Sequence, residues 1–528
     1  MTSLASLSTR DWDLIVIGGG ITGAGILREA ARLGLKALLV ERNDFASGTS
    51  SHSSKLIHGG LRYFVQGQIK MMRESVRACQ LLLRDGPPLV TPIGYLHMIY
   101  KGDRITPFIF EAGIRTYAIL HGHLKVHQRI SPSAIGLYNP GLSQKDLSAV
   151  FTFGELQTDD ARLVLRVLRE ATTHGAVAVN YKSAVGLLRD EHGRVNGILA
   201  QDSEGGEPIS LRAQVVVNAT GAWADSLRRH IDAPARLRSM RGSHLVIPGW
   251  RLRLGQIASF FHPENGRPIY CIPWNGVVLV GTTDVDQEML GENDEPHPSA
   301  EEVHFLLRGL QARFPTLNLK VQDVQAVFAG IRPVADVQTS DPSKASREHV
   351  ILYESGLLTV AGGKLTTFHT MALAVFEKLR EHLPELPKSR TVSSALDPLP
   401  NIPLDLPLDS NLALDWLSRY GETSLDFLSA SAPLERTPIY NGHSASLADF
   451  RWVARQEAVR HLDDLLLRRT RLGLTAPNGG SAFLPRIRPV VQEELNWTDS
   501  QWDEEVARYL ARWKRNHSTP SMSEMPSS

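Results

Sequence analysis

Apolar residues along the chain follow two rhythms. Asp13-Leu-Ile-Val-Ile-Gly18 is a short apolar run ending in glycines, the mark of a strand buried on both faces. From Ala24 through Leu33 the apolar positions recur at helical spacing, and Lys36-Ala-Leu-Leu-Val-Glu41 is a second apolar run. Strand, helix and strand in that order predict a βαβ unit with parallel strands. A helix is expected over Ile69 to Arg84, inside an otherwise irregular segment from Asn43 to Val150. Another is expected from Asp160 to His174, with Asp159 or Asp160 as its N-cap. Strand patterns follow at Ala176 to Tyr181, Ala184 to Leu188, Val195 to Gln201 and Val215 to Val217. Short runs with turn residues between Gly242 and Gly281 predict a second, mostly antiparallel sheet. Leu357-Leu-Thr-Val-Ala361 is one more buried strand that runs into glycines. The proline-rich stretch Leu396 to Leu408 marks a boundary, beyond which Phe450 to Leu472 and Asp503 to Arg515 read as helices. His517 to Ser528 is polar and has too little apolar surface to offset the entropy of ordering.

The glycines after the first strand carry chemistry. Gly18-Gly19-Gly20-Ile-Thr22-Gly23 fits G-x-G-x-x-G between a strand and a helix, and Glu41 ends the next strand about twenty residues on, as a dinucleotide site requires. Gly18 permits the tight turn, Gly20 lets a pyrophosphate approach the backbone, and Gly23 lets helix and strand pack closely. The helix N-terminus presents free N–H groups to phosphate. Glu41 suits ribose hydroxyls and repels a 2′-phosphate. Two further strands end in close-approach turns, Val215-Val-Val-Asn-Ala219-Thr-Gly221 and Ala361-Gly362-Gly363-Lys364, the second before a helix expected to start near Leu365. Three such turns exceed what a nicotinamide cofactor needs, which points to FAD, with the last helix aimed at the reduced ring.

Composition excludes several classes. Lys and Arg number 57 against 56 Asp and Glu, so there is no global field to gather nucleic acid and any anion site must be local. The two cysteines, Cys79 and Cys271, form neither a disulfide framework nor a thiolate metal site. No run of about eighteen apolar residues occurs, and Met1 to Arg10 lacks the features of a signal peptide. Histidines 52, 58, 121, 123, 127 and 244 show no metal-ligand spacing, so no metal is expected. The serines at 50, 51, 53 and 54 lack a G-x-S-x-G elbow.

Thr49-Ser50-Ser51-His-Ser-Ser54-Lys55-Leu-Ile-His58-Gly59-Gly60-Leu-Arg62-Tyr63, together with the fingerprint, closely resembles the FAD-dependent glycerol-3-phosphate dehydrogenases, a family of D-amino-acid-oxidase-like flavoenzymes. Asp159-Asp-Ala-Arg-Leu-Val164, Asn218-Ala-Thr-Gly221, Arg241-Gly-Ser-His244, Gly281-Thr-Thr-Asp284, Gly330-Ile-Arg-Pro333 and Gly362-Gly-Lys-Leu-Thr-Thr367 add to the likeness. It runs from about residue 12 to about 385 and continues more weakly beyond. The resemblance implies an α/β fold with a discontinuous Rossmann-type FAD-binding domain (1–95, 151–235 and 326–390). A cap segment (96–150) and a mostly antiparallel α+β substrate domain (236–325) would be inserted in it. A linker (391–410), a C-terminal helical domain (411–516) and a disordered tail (517–528) would follow. FAD, held without a covalent bond, would meet Gly18, Gly19, Gly20, Thr22, Gly23, Glu41 and Arg42. Thr49, Ser50, Ser51, Ser54, Lys55, His58, Gly59 and Gly60 would wrap it, joined by Ala219, Gly221, Gly362, Gly363, Lys364, Leu365 and Thr366.

The implied reaction oxidises sn-glycerol 3-phosphate to dihydroxyacetone phosphate, C2 hydride passing to flavin N5 and the electrons to a quinone. Arg62, Tyr63, His244, Thr283, Arg332 and Lys364 would meet the substrate, with His244, Arg332 and Lys364 as the catalytic set. Arginines hold phosphate bidentately and lysine adds a point charge, while histidine titrates near the working pH and suits the base. An arginine or lysine could stabilise the alkoxide instead, and His244 could merely orient the substrate. Tyr63 fits a pocket wall as well as a donor, and His58 a structural role as well as a flavin contact. An oxidase using oxygen and a non-catalytic FAD-binding subunit are the competing readings. An amine oxidase is disfavoured, because an ammonium group would want a carboxylate, not three cations. The family places such a protein in the cytoplasm, peripheral on the inner membrane, and leaves a homodimer open. Arg468, Arg469 and Arg471 read either as a solvated helix face or as a contact for anionic lipid or a partner.

Overall fold

The computed structural model describes residues 3–60, 68–121, 128–288, 291, 294–335, 349–383, 385–387, 394–402 and 408–520, so Arg62 and Tyr63 lie outside the described residues. The predicted βαβ unit is present. Strand Trp12–Ile17, helix Ile21–Arg32 and strand Ala37–Val40 follow one another, with Leu14 opposite Ala37 on one side and Val215 on the other. All-apolar strands demand cover on both faces, and they receive it. The sheet runs Val350–Glu354, Leu357–Ala361, Ile209–Asn218, Trp12–Ile17, Ala37–Val40, Val177–Val179, parallel except at the Val350–Glu354 edge. Helices Ile21–Arg32, Asp160–Thr173 and Phe368–His382 share a core on one face through Ile26, Leu27, Val164, Leu168, Phe368 and Ala372. Strands Lys182–Arg189 and Val195–Asp202 extend Ile209–Asn218 as an antiparallel meander.

The second sheet holds ten strands and is mostly antiparallel, as the spacing between Gly242 and Gly281 predicts. Leu237–Pro248 is its spine, paired with Val277–Gly281, Val285–Gln287 and Ala326–Ala335. The segment expected to be irregular supplies Val90–Tyr100, which pairs with Leu147–Thr158 throughout and joins Ile257–Phe261 by a parallel pairing. Pro92 and Gly94 hide this strand from a periodicity reading. Pro92 faces Leu156, and the parallel partner begins only at Tyr95, so the missing N–H leaves no rung broken there.

Domain boundaries fall elsewhere than the sequence predicts. Val90–Tyr100 and Leu147–Thr158 cross the expected limits at 95 and 150 and belong wholly to the second sheet, as does Ala326–Ala335, assigned above to the FAD-binding domain. Within the expected linker, Ala395 and Leu396 are buried in the first domain's core, and Asp397 bonds Arg28 and His174. The expected tail begins inside a helix: Asp499–His517 ends on a buried His517, while 521–528 lie outside the described residues. Phe450 to Leu472 is not one helix either. Leu447–Gln456 stops before Ala458, which adopts a left-handed φ of 51°, and a π-helical turn follows at Asp464–Arg469.

That turn overturns both readings of the basic cluster. Arg468, Arg469 and Arg471 are all buried, so none is a solvated face or a lipid contact. Arg468 and Arg469 close on Asp44 of the first domain, whose carboxyl their charges hold below its usual range against burial. Arg471 reaches Asp159 and Asp160. The helical domain also shares a hydrophobic core with the second sheet, Trp416, Phe450 and Trp452 clustering with Phe151, Val246 and Phe328.

Candidate active site

At the glycine turn the backbone is packed to contact. A Cβ on Gly18 (φ +112°) would lie 2.6 Å from the Ala219 carbonyl, and one on Gly23 would lie 1.9 Å from the Gly18 carbonyl. Gly23 therefore binds nothing; it lets the helix meet the strand. Gly19 also turns away from the cavity, its N–H donating to Glu41 Oε2 at 2.6 Å, while Glu41 Oε1 accepts from Asn43. Each carboxylate oxygen keeps a lone pair for a ribose hydroxyl. Burial raises the pKa of Glu41, opposed by these two amides. Ile21 N donates to Ser50 Oγ at 3.0 Å, fixing the serine loop against the helix N-terminus.

One cavity of about 1290 Å³ runs from this turn to the second sheet, above the 300–1,000 Å³ usual for a single ligand. Gly18, Gly20, Thr22, Glu41 and Arg42 line one end, where Arg42 lies over the Trp223 ring at 4.7 Å. Thr49, Ser50, Ser54, His58 and Gly60 line its floor, and Ala219, Gly221, Gly362, Gly363, Lys364, Leu365 and Thr366 its wall. The backbone cradle, the free helix N-terminus and a carboxylate at the second strand fit a flavin dinucleotide.

Besides Gly19 and Gly23, four more expected contacts do not reach the cavity. Lys55 is fully buried beneath it, its ammonium held by Asp160 Oδ1 at 2.9 Å and Ser51 O at 3.1 Å and stacked against Trp274 and Phe328. Ser51 Oγ turns to His52. Gly59 N donates to Tyr117 Oη. Thr283 is buried between Ser243 N and Glu302, and Thr282 takes the place at the wall. In each case a neighbour's unmet hydrogen bond draws the group away, which a motif string does not show.

Toward the second sheet the cavity becomes cationic. Arg332 and Lys364 both line it. Arg332 donates to Asp284 Oδ1 at 3.1 Å and Thr282 Oγ1 at 3.0 Å, and Lys364 to Ser75 Oγ at 2.9 Å. Arg267, missed in the sequence, also lines it and shares Asp284 at 3.1 Å. Its only signal is the turn Asn265-Gly266-Arg267-Pro268. Two guanidiniums thus share one carboxylate at the cavity wall. Gly242 makes room for Arg332: an added Cβ would meet Nη2 at 2.5 Å. Gly242→Ala is therefore expected to displace this side chain and raise KM for an anionic substrate roughly ten- to hundred-fold, with melting temperature nearly unchanged. Steady-state kinetics on the flavin-loaded variant checks this.

His244 stands between Arg332 and the serine loop. Its Nε2 pairs with Ser54 Oγ at 2.8 Å, its ring stacks on Phe328 at 4.7 Å, and Nδ1 is buried without a partner. Burial, helped by Arg332 and Lys55, lowers its pKa to about 3, so with the cavity empty of anion it is neutral and weakly basic. Burial likewise holds His97 near 3 and His443 and His517 near 4. In the unfolded chain these groups take up protons near pH 6.5. Their contribution to stability is whole above that pH and is lost as pH falls from 6.5 toward 3. At pH 5.5 the four together remove about 6 kcal/mol, roughly 1.4 each. Urea midpoints compared at pH 7.5 and 5.5 should fall steeply; equal midpoints refute the burial of neutral histidines.

The chain matches the family model of FAD-dependent oxidoreductases over residues 13–369, and that of the C-terminal domain of alpha-glycerophosphate oxidase over residues 373–502. By fold and site it is an FAD-dependent oxidoreductase, with FAD as its cofactor. It is 34% identical to glycerol-3-phosphate dehydrogenase 2 of Mycobacterium tuberculosis over 96% of this chain and 88% of the relative. It is 38% identical to the aerobic glycerol-3-phosphate dehydrogenase of Bacillus subtilis over 72% of this chain and 69% of the relative. The glycerol-3-phosphate dehydrogenase of Bacillus halodurans, solved in complex with FAD, superposes with a TM-score of 0.75 at 26% identity, covering 97% of this chain and 96% of that one. The chain belongs to the FAD-dependent glycerol-3-phosphate dehydrogenase family.

Proposed function

We propose that the protein oxidises sn-glycerol 3-phosphate to dihydroxyacetone phosphate and passes the electrons to a quinone. The observation that carries this reading is the placement of Arg332, Arg267 and Lys364 on the wall of the same cavity as the glycine turn. Bound FAD supplies the two-electron acceptor at N5. Arg332 and Lys364 hold the phosphate dianion and stabilise negative charge as the hydroxyl ionises, and Arg62 is expected to join them. A dianion on Arg332 cancels part of the field that adds to burial in depressing His244, so its Nε2 gains basicity as substrate binds and takes the hydroxyl proton by way of Ser54 Oγ. The aromatic part of the wall (Tyr95, Phe153, Tyr270) limits water beside the reacting carbon.

Among the described residues no helix is long and apolar enough to cross a membrane. Helix Pro107–His121 nevertheless exposes Phe108 and Ile119, each at 81%, and Ile109. This apolar surface supports peripheral contact with a cytoplasmic membrane face and a lipid-soluble acceptor. The C-terminal match to a glycerophosphate oxidase domain favours oxygen as the second reading. Anaerobic glycerol 3-phosphate should bleach the bound flavin, and a quinone analogue should restore its colour. Bleaching reversed only by oxygen, with peroxide formed, selects the oxidase, and no bleaching rejects the substrate.

A further inference from the structure

We propose that Arg471 of the C-terminal domain is a positioning residue for the reaction. It sets the loop Ser51 to Lys55 and, through Ser54, the imidazole of His244. The inference rests on the reading of this cavity as the site of alcohol oxidation.

The path is continuous, buried at Arg471, Asp160, Lys55 and His244 and reaching the cavity at Ser53 and Ser54. Arg471, 1% exposed, donates from Nη2 to Asp160 Oδ1 and, at 2.9 Å, to Asp159 Oδ1. Asp160 Oδ2 accepts from both Ser53 N at 3.0 Å and Ser53 Oγ at 2.8 Å, and its Oδ1 accepts from Lys55 Nζ. Ser53 and Lys55 bracket Ser54, whose Oγ makes the 2.8 Å bond to His244 Nε2. Since Nδ1 of that imidazole has no partner among the described residues, Ser54 makes its only hydrogen bond there. Ring orientation therefore depends on where the loop holds one hydroxyl.

The loop needs outside help to stay there. Lys55 carries a left-handed φ of 58°, unfavourable for a residue with a Cβ, and its buried ammonium requires Asp160 to remain ionised. Arg471 completes the charge balance: two cations and two carboxylates in one buried group. The fields of Lys55 and Arg471 hold Asp160 near 2 although burial works the other way. Without Arg471, Asp160 would keep Lys55 as its one charged partner, and the carboxylate that holds Ser53 would lose one of its two anchors. A buried ion pair often adds little net stability but selects one conformation. Here the selected conformation is that of a loop lining the flavin cavity. The C-terminal domain thus acts on the reaction site through Arg471, which stands behind the loop, as well as through Arg508, Arg512 and Arg515, which line the cavity.

Arg471→Met, Ser53→Ala and Arg419→Met should be compared in flavin-loaded protein. Arg419 pairs only within the C-terminal domain, with Asp415 and Asp449, so its loss controls for general weakening of that domain. Amide exchange over residues 48–56 should quicken about ten-fold in Arg471→Met, and kcat should fall about ten-fold with KM nearly unchanged. Ser53→Ala should move both readouts in the same direction by less, and Arg419→Met neither. Unaltered exchange in Arg471→Met overturns the proposal, as does faster exchange with wild-type kcat. If Arg471→Met does not fold, Ser53→Ala decides: no change in either readout overturns it. Exchange needs no turnover, so it is read even if glycerol 3-phosphate fails to bleach the flavin, which would remove the functional reading instead.

Discussion

Replacing Arg332 with methionine is expected to lower kcat/KM for glycerol 3-phosphate about a thousand-fold while the protein still folds and binds FAD. The guanidinium is fixed by Asp284 and Thr282 where it lines the cavity. A donor fixed before the reaction begins has no reorganisation to undergo when charge develops, and losing one typically costs about 3–4 kcal/mol of transition-state stabilisation. Folding is spared because Asp284 keeps Arg267 as its partner. Anaerobic reduction followed by stopped-flow absorbance measures the effect. A loss under about ten-fold would remove Arg332 from the reaction and leave the anion to Lys364 and Arg267.

The second large effect is on stability. Asp44→Ala is expected to cost about 3–5 kcal/mol, because it leaves two guanidiniums in the interior with an acceptor removed. Asp44 Oδ1 meets Arg469 Nη2 at 2.7 Å and Oδ2 meets Arg469 Nη1 at 2.6 Å, with Arg468 on Oδ2 as well. Arg468 retains Asp463 and Asp464, whereas Arg469 retains a 2.8 Å hydrogen bond to the Glu457 carbonyl and, as its nearest charge, the Glu457 carboxylate at 3.5 Å. Denaturant unfolding should show the C-terminal domain separating from the first domain at lower urea. An unchanged midpoint would mean that the other ion pairs between them, Arg471 with Asp159 and Asp160 and Arg162 with Glu457, suffice to join them.

Much of the site was readable along the chain because its geometry is local. The turn at Gly18 to Gly23 is dictated by residues that fold within one βαβ unit, and the glycines mark where backbone must approach backbone or ligand. Arg332 and Lys364 were recognisable for the same reason, each beside glycines that open space for something else. Lys55, Ser51 and Thr283 sit in the same strings yet face inward, since a side chain turns toward whichever partner the tertiary structure supplies. Lys55 meets a carboxylate 105 positions away, and no local pattern encodes that. Arg267 and Glu155 were silent for the complementary reason. Glu155 accepts from Tyr117, and burial raises its pKa to about 8, but alone in a strand it looks like any outward-facing acid.

By itself the sequence determined the dinucleotide-binding half, its cofactor class and the family, because strand period, glycine placement and motif order are written in consecutive residues. Only the tertiary structure decided that Val90–Tyr100 is a strand, that three arginines thought to face solvent or lipid are the buried clasp of the C-terminal domain, and that His244 is neutral. Burial and ion pairing are properties of surfaces brought together from distant segments, and their energies depend on the dielectric and partners found there.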